Sequence, residues 1–115
     1  MIHLIYLSYS TTKLSTDDLD SILETSRSNN QENNITGLLV YYERDFLQIL
    51  EGEDEVVMAT FNRILADPRH RGIIILDQSP IEHRDFEQWS MGFKRMIKTD
   101  APVGFVDFFS SSLSR

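Results

Sequence analysis

Cysteine is missing from this chain. Disulfides, iron–sulfur clusters and thiol chemistry are therefore excluded, and the composition fits a reducing cytosol. No run of about 18 apolar residues occurs, so no membrane-spanning helix is expected. The chain does not start with a basic then apolar stretch and a small-residue cleavage site, so no secretory signal is expected. Positive charge is scarce too: 11 Lys and Arg stand against 18 Asp and Glu, for a net charge of −7. Phosphate backbones require clustered cations, and only a loose group at Arg63, Arg69, His70 and Arg71 approaches that. Neither nucleic acid nor a membrane is an expected partner. Repeats, low-complexity tracts and internal linkers are also lacking, and 115 residues suffice for one domain with one core.

What is present alternates between two periods. Residues 2–8, IHLIYLS, read as a buried strand. A helix follows, capped by Ser15 or Thr16, with Asp17 and Asp18 at its positive end. Leu19, Ile22, Leu23 and Ser26 recur at helical spacing, and the polar stretch 28–34 should end the helix. Residues 35–42 and 45–52 form two strands joined by a short hairpin turn. Residues 51–70 hold a second helix, with Glu53, Asp54 and Glu55 in its first turn, an apolar stripe of Val57, Phe61, Ile64 and Leu65, and Pro68 as its stop. Residues 71–80 and 87–96 are predicted as the fourth and fifth strands. The order β-α-β-β-α-β-β gives an α+β fold, a ferredoxin-like sandwich with a mixed sheet and two helices on one face. Residues 1–96 are expected to be the functional domain. Residues 97–115, with Val103, Val106, Phe109 and Leu113 on one line, are expected to be a short C-terminal capping or linker helix. Two helices cover only one sheet face, so this segment, a second copy or an associated domain should cover the other.

The stretch DFLQILEG, 45–52, raises a chemical question. Alternate strand residues share a face, so Gln48 projects between Phe46 and Leu50 into the core. On the first strand Ile2, Leu4, Tyr6 and Ser8 share a face, which places a phenol there as well. In this topology the first and third strands are neighbours, so Tyr6 and Gln48 can lie side by side beneath the helices. Unpaired, such groups cost about 1–3 kcal/mol each. Ile22, Ser26 and Asn29 or Asn30 follow one line down the first helix. Val56, Thr60, Arg63 and Asp67 follow one along the second, and His70 comes two residues after Pro68. Together they would form a groove floored by Tyr6 and Gln48 that fits a flat polar heterocycle with a phosphate tail. Each residue also has an ordinary structural role: a core Tyr bonded to a carbonyl, a helix-ending Asn, a surface Arg63–Asp67 pair. A ligand-binding regulatory module of this fold, a small hydrolase of the acylphosphatase type and a pure dimerisation domain are all readings that this pattern leaves open. The turn at SYSTTK offers no glycine for a phosphate cradle, which disfavours the hydrolase.

Read in order, the residues LIYLS, SRSNNQENNITGLLVY, FLQILEG, RILADPRH and RDFEQWSM resemble the BLUF family of blue-light sensors using flavin. The similarity runs from residue 4 to Met96, and ITGLL followed by FLQILEG, DPRH and WSM is a specific combination. The resemblance implies a flavin between the two helices, FAD or alternatively FMN. It implies that Tyr6 is the light-driven electron donor and that Gln48 links Tyr6 to the flavin N5 and O4 edge. Asn30 would hold the O4/N3 edge. Ile22, Ser26, Asn29, Arg63, Asp67 and His70 would line or contact the rest of the cofactor. Ser8 would lie close to the Tyr6–Gln48 pair, and Trp89 and Met91, on the fifth strand near Gln48, would carry the change outward. Light would drive an electron, then a proton, from Tyr6 toward the flavin; their return would leave Gln48 rotated or tautomerised and absorption shifted to the red.

The family's usual Gly before Ile-Thr-Gly is Asn34 here. Tyr41, Tyr42 and Trp89 add oxidisable rings, and Trp89 would compete with Tyr6 if it packed beside the flavin. No family motif is found beyond Met96. The reading is a sensor domain and not an enzyme. Its output would pass through the fifth strand, the second sheet face and the C-terminal segment, to a second copy or to a fused or associated effector.

Overall fold

A computed structural model describes residues 1–68 and 70–96. β1 (Ile2–Ser10) is followed by α1 (Thr16–Glu32), β2 (Thr36–Tyr42), β3 (Asp45–Gly52), α2 (Asp54–Leu65), β4 (His70–Pro80) and β5 (Gly92–Met96). The sheet order is β4-β1-β3-β2-β5, with every pairing antiparallel except β2–β5. This is the mixed α+β sandwich expected. The proposed C-terminal helix over 97–115 lies outside the described residues. Among those described, no helix is long and apolar enough to cross a membrane.

Local chemistry sets the helix limits. Ser15 caps α1: its hydroxyl accepts from the Asp18 amide at 3.1 Å, and the Asp18 carboxylate accepts from the Ser15 amide at 3.0 Å. This reciprocal pair satisfies two of the donors that a helix start leaves bare. The expected stop within 28–34 falls at Glu32. α2 is shorter than the 51–70 stretch, because Glu51 and Gly52 belong to β3 and the helix ends three residues before Pro68. Val57 and Phe61 are buried and Ile64 partly so, but Leu65 is 47% exposed. It is not part of the expected stripe, because the helix ends there and its side chain turns outward.

The core lies between the helices and one sheet face. Ile2, Leu4, Tyr6, Ser8 and Ser10 on β1 are buried, as are Phe46, Gln48 and Leu50 on β3. The second face is less covered: Ile5, Leu38, Leu47 and Ile49 are half-buried, and Ile74 and Leu76 on β4 are exposed. The segments expected to cover that face lie outside the described residues.

The main departure from expectation is β5. It begins at Gly92 rather than 87, so Trp89 and Met91 precede the strand. The sheet order explains this. β4 and β5 occupy opposite edges, but the end of β4 and the start of β5 lie at the same end of the sheet. Residues 81–91 must therefore pass β1, β3 and β2, four strand spacings or about 19 Å. A chain spent on that crossing cannot also pair as a strand.

Candidate functional site

Tyr6 and Gln48 are direct cross-strand partners in the β1–β3 ladder, and the Tyr6 hydroxyl donates to Gln48 Oε1. The Tyr6 ring is fully buried and packs edge-to-face on Phe61 of α2, with centroids 5.0 Å apart. Burial disfavours the phenolate, so the Tyr6 pKa is held well above its ordinary 10.0. The phenol is thus a neutral donor across the physiological range. The unfolded chain loses this proton near the ordinary value and the folded chain only at higher pH. The stability linked to Tyr6 is complete below the ordinary value and is lost as pH rises toward the folded one. Melting temperatures measured at about pH 9 and about pH 11 should therefore fall further for the wild-type protein than for Tyr6→Phe. Equal falls would refute this linkage.

Above that pair runs a cleft, open on one side, with a cavity volume of about 110 Å³. α1 supplies Ile22, Thr25, Ser26, Asn29 and Asn30; α2 and the turn after it supply Thr60, Arg63, Ile64 and Asp67; the sheet supplies Leu39, Gln48 and Leu50. The Arg63 guanidinium donates to Asn29 Oδ1 across the two helices. Asn30, 2% exposed, donates through Nδ2 to the Ser90 carbonyl at 2.6 Å. One side chain therefore lines the cleft and holds the approach to β5. With its oxygen engaged by Tyr6, the Gln48 NH₂ makes no hydrogen bond among the described residues, yet the residue is 5% exposed. Because Gln48 lines the cleft, an acceptor placed there can take this donor. A flat ring with carbonyl and imine acceptors on one edge supplies one. The Asn29 and Arg63 end is suited to a polar or anionic tail.

Of the residues expected at the site, Ile22, Ser26, Asn29, Asn30, Gln48, Arg63 and Asp67 all line the cleft, and Tyr6 lies directly beneath it. Ser8 is buried on the same face, two residues from Tyr6, but does not line the cleft. His70 opens β4 opposite Ser10, and its side chain lies outside the described residues. Trp89 does not line the cleft. It is 51% exposed and stacks on Phe86, centroids 5.8 Å apart. Met91 is buried in the same core cluster as Tyr6, but ahead of β5 rather than on it. Both were expected on the strand; the crossover takes those positions. Thr25, Leu39, Leu50 and Ile64 were missed. Thr25 was legible as the i+3 neighbour of Ile22, and Leu50 as sharing the face of Gln48. Leu39 required the β2–β3 register that sets it opposite Gln48.

The sequence profile of the family described as "BLUF: Sensors of blue-light using FAD" matches residues 1–92. The beta subunit of a photoactivated adenylate cyclase from Euglena longa is 31% identical over 103 residues, covering 87% of this chain and 12% of that protein. The chain thus spans about an eighth of the length of this curated relative. Among solved structures, the dark state of BlrB, a BLUF protein, is 32% identical with a TM-score of 0.83, covering 98% of this chain and 84% of that one. A bacterial light-regulated adenylyl cyclase is 34% identical with a TM-score of 0.80, over 96% of this chain and 32% of the other.

Proposed function

The chain belongs to the BLUF family and is a blue-light flavin sensor domain, and from the geometry of its cleft we propose that the Tyr6–Gln48 pair is its light-driven switch. The domain itself is a sensor rather than a catalyst, and its relatives include adenylate cyclases to which such a domain is fused. Flavin, when bound, supplies the blue-light absorption and an excited ring that accepts an electron and a proton. Every other part belongs to the chain. Gln48, Asn30 and Asn29 would hold the polar edge of the ring, Ile22, Ser26, Leu39 and Ile64 would line the site around it, and Arg63, Asp67 and His70 would serve the tail. The proposed cofactor is FAD, with FMN as the alternative, since the cleft lining fits either.

Tyr6 gives up an electron and then the proton on Oη, and later takes both back. While the proton is away, Gln48 is released from the donor that fixes its oxygen. An amide presents a donor at one end and an acceptor at the other, and a phenol can serve as either partner. The pair therefore closes equally well with Gln48 turned or tautomerised, and the cleft is left with a different hydrogen bond. The change passes through Asn30 and Ser90 to Met91 and β5, then to a fused or associated effector or a second copy, as a bias on a two-state element. Residues 1–96 act as the sensor and 97–115 as its capping or linking segment, in the cytoplasm.

The observation carrying this reading is the Tyr6–Gln48 hydrogen bond at the floor of a cleft that Gln48 also lines. The test is an absorption spectrum in the dark and just after blue light. A flavin spectrum that shifts slightly red and relaxes in darkness is expected. Flavin without a shift overturns the switch, and a protein that takes up no flavin points to a module without photochemistry. Trp89 sits outside the cleft and half-exposed, so Trp89→Phe should keep the full amplitude of the shift. A lost or halved shift would make Trp89 an electron donor in its own right.

A further inference from the structure

Glu51 is 1% exposed and has no part in the cleft. It stands three residues beyond Gln48 on β3, so it projects to the opposite sheet face. Its carboxylate accepts from the Thr36 hydroxyl at 2.8 Å, the Asp85 amide at 2.6 Å and the Phe86 amide at 3.1 Å. Arg84 closes the same cluster. It donates to Thr36 Oγ1 at 2.8 Å, to the Glu51 carbonyl at 3.0 Å and to the Asn34 carbonyl at 2.8 Å.

These bonds fall where the crossover needs them. Residues 81–91 contain only turns and bends, so no ladder sets their path. The chain is tied to each strand end as it passes. The Ile81 amide donates to Met1, Arg84 to Phe86 bind at Glu51 and Thr36, and the Gly37 amide donates to the Trp89 carbonyl at 3.0 Å. The next two carbonyls belong to α1: Asn30 holds Ser90, and Arg27 Nε donates to Met91 at 2.9 Å. The Glu51 cluster therefore sets where residues 89–91 arrive beside a side chain that lines the cleft.

We propose that Glu51, with Thr36 and Arg84, is a positioning residue for the photocycle, holding the 84–91 crossover in its resting arrangement and so setting the lifetime of the light-induced state. This rests on the reading of Tyr6 and Gln48 as a switch whose change leaves through Asn30 and Ser90. Light alters the bonds on one side of Asn30, and the crossover resists on the other. Loosening the cluster raises the free energy of the resting arrangement, and the return from light slows.

The test uses Glu51→Gln in the full, flavin-loaded chain. The amide keeps the shape but turns an NH₂ toward backbone donors. Thr36→Val and Arg84→Ala provide independent variants should Glu51→Gln lose flavin. Flavin content and the size of the red shift should match wild type. Dark recovery should be about 2- to 30-fold slower, with faster amide exchange at Asp85, Phe86 and Gly37 in darkness. Glu51→Asp should restore part of the rate. Recovery within about twofold of wild type in every flavin-loaded variant overturns this proposal alone. A wild-type protein with no shift overturns the switch, and this proposal with it.

Discussion

Tyr6→Phe is expected to bind flavin and to show no red-shifted state at all after blue light. The substitution removes one oxygen and keeps the ring. Tyr6 does not line the cleft, and its edge-to-face contact with Phe61 at 5.0 Å needs no hydroxyl. Flavin content should therefore stay near that of wild type. What disappears is the donor to Gln48 Oε1 and the proton whose departure frees that amide. The buried Gln48 oxygen loses its partner, at about 1–3 kcal/mol, which should lower the melting temperature modestly. The shift is a separate readout and should fall to nothing rather than by a fraction, because no other phenol is the cross-strand partner of Gln48. A flavin-loaded Tyr6→Phe protein that still shifts would remove Tyr6 from the switch.

Gly37→Ala should have the larger effect on folding. Gly37 lies on β2 opposite Leu50. A Cβ built there would stand 1.9 Å from the Ile49 carbonyl oxygen and 3.0 Å from its carbon. The obstacle is backbone in the central strand, so no rotamer change relieves it. β2 and β3 must separate or shift, which also moves Leu39, the register partner of Gln48. The expected loss is about 3 kcal/mol or more, equivalent to a fall in melting temperature of roughly 10 °C or more in a domain of this size. Flavin should be lost with it. A Gly37→Ala protein that melts within a few degrees of wild type and retains flavin would mean that the β2–β3 contact yields at little cost. The Ala contrast matters because Gly37 has no need of a left-handed backbone. Among the described residues only Asn34, Glu43 and Gly72 have positive φ. Close approach, rather than conformation, is what excludes a side chain there.

Asn34, with φ 54, also accounts for the departure from the family's usual glycine at that place. Asn is among the residues that tolerate this region. Its carbonyl accepts from Arg84, so the loop after α1 keeps its turn and is tied to the crossover.

Period and composition were enough to determine the element order, the start of α1 at Ser15 or Thr16 and the inward faces of β1 and β3; the choice of Ser15 and the register that pairs Tyr6 with Gln48 came from the structure. The first three follow from rules that act within one element or between strands whose adjacency the order of elements already implies. The two lines of cleft residues on α1 and α2 were legible for the same reason, since helical spacing alone aligns Ile22 with Ser26 and Thr60 with Arg63. Other features depended on where distant segments cross. Residues 87–91 look like part of a strand, yet become a crossover because β4 and β5 lie on opposite edges of the sheet. That displaces Trp89 to the surface and sets Met91 ahead of the strand. Glu51 reads as a charged strand end, yet it is buried because the crossover folds two backbone amides onto a carboxylate that already accepts from Thr36 of the neighbouring strand. No local pattern encodes the two amide contacts: they come from groups more than thirty residues away, and only the completed sheet brings those groups together.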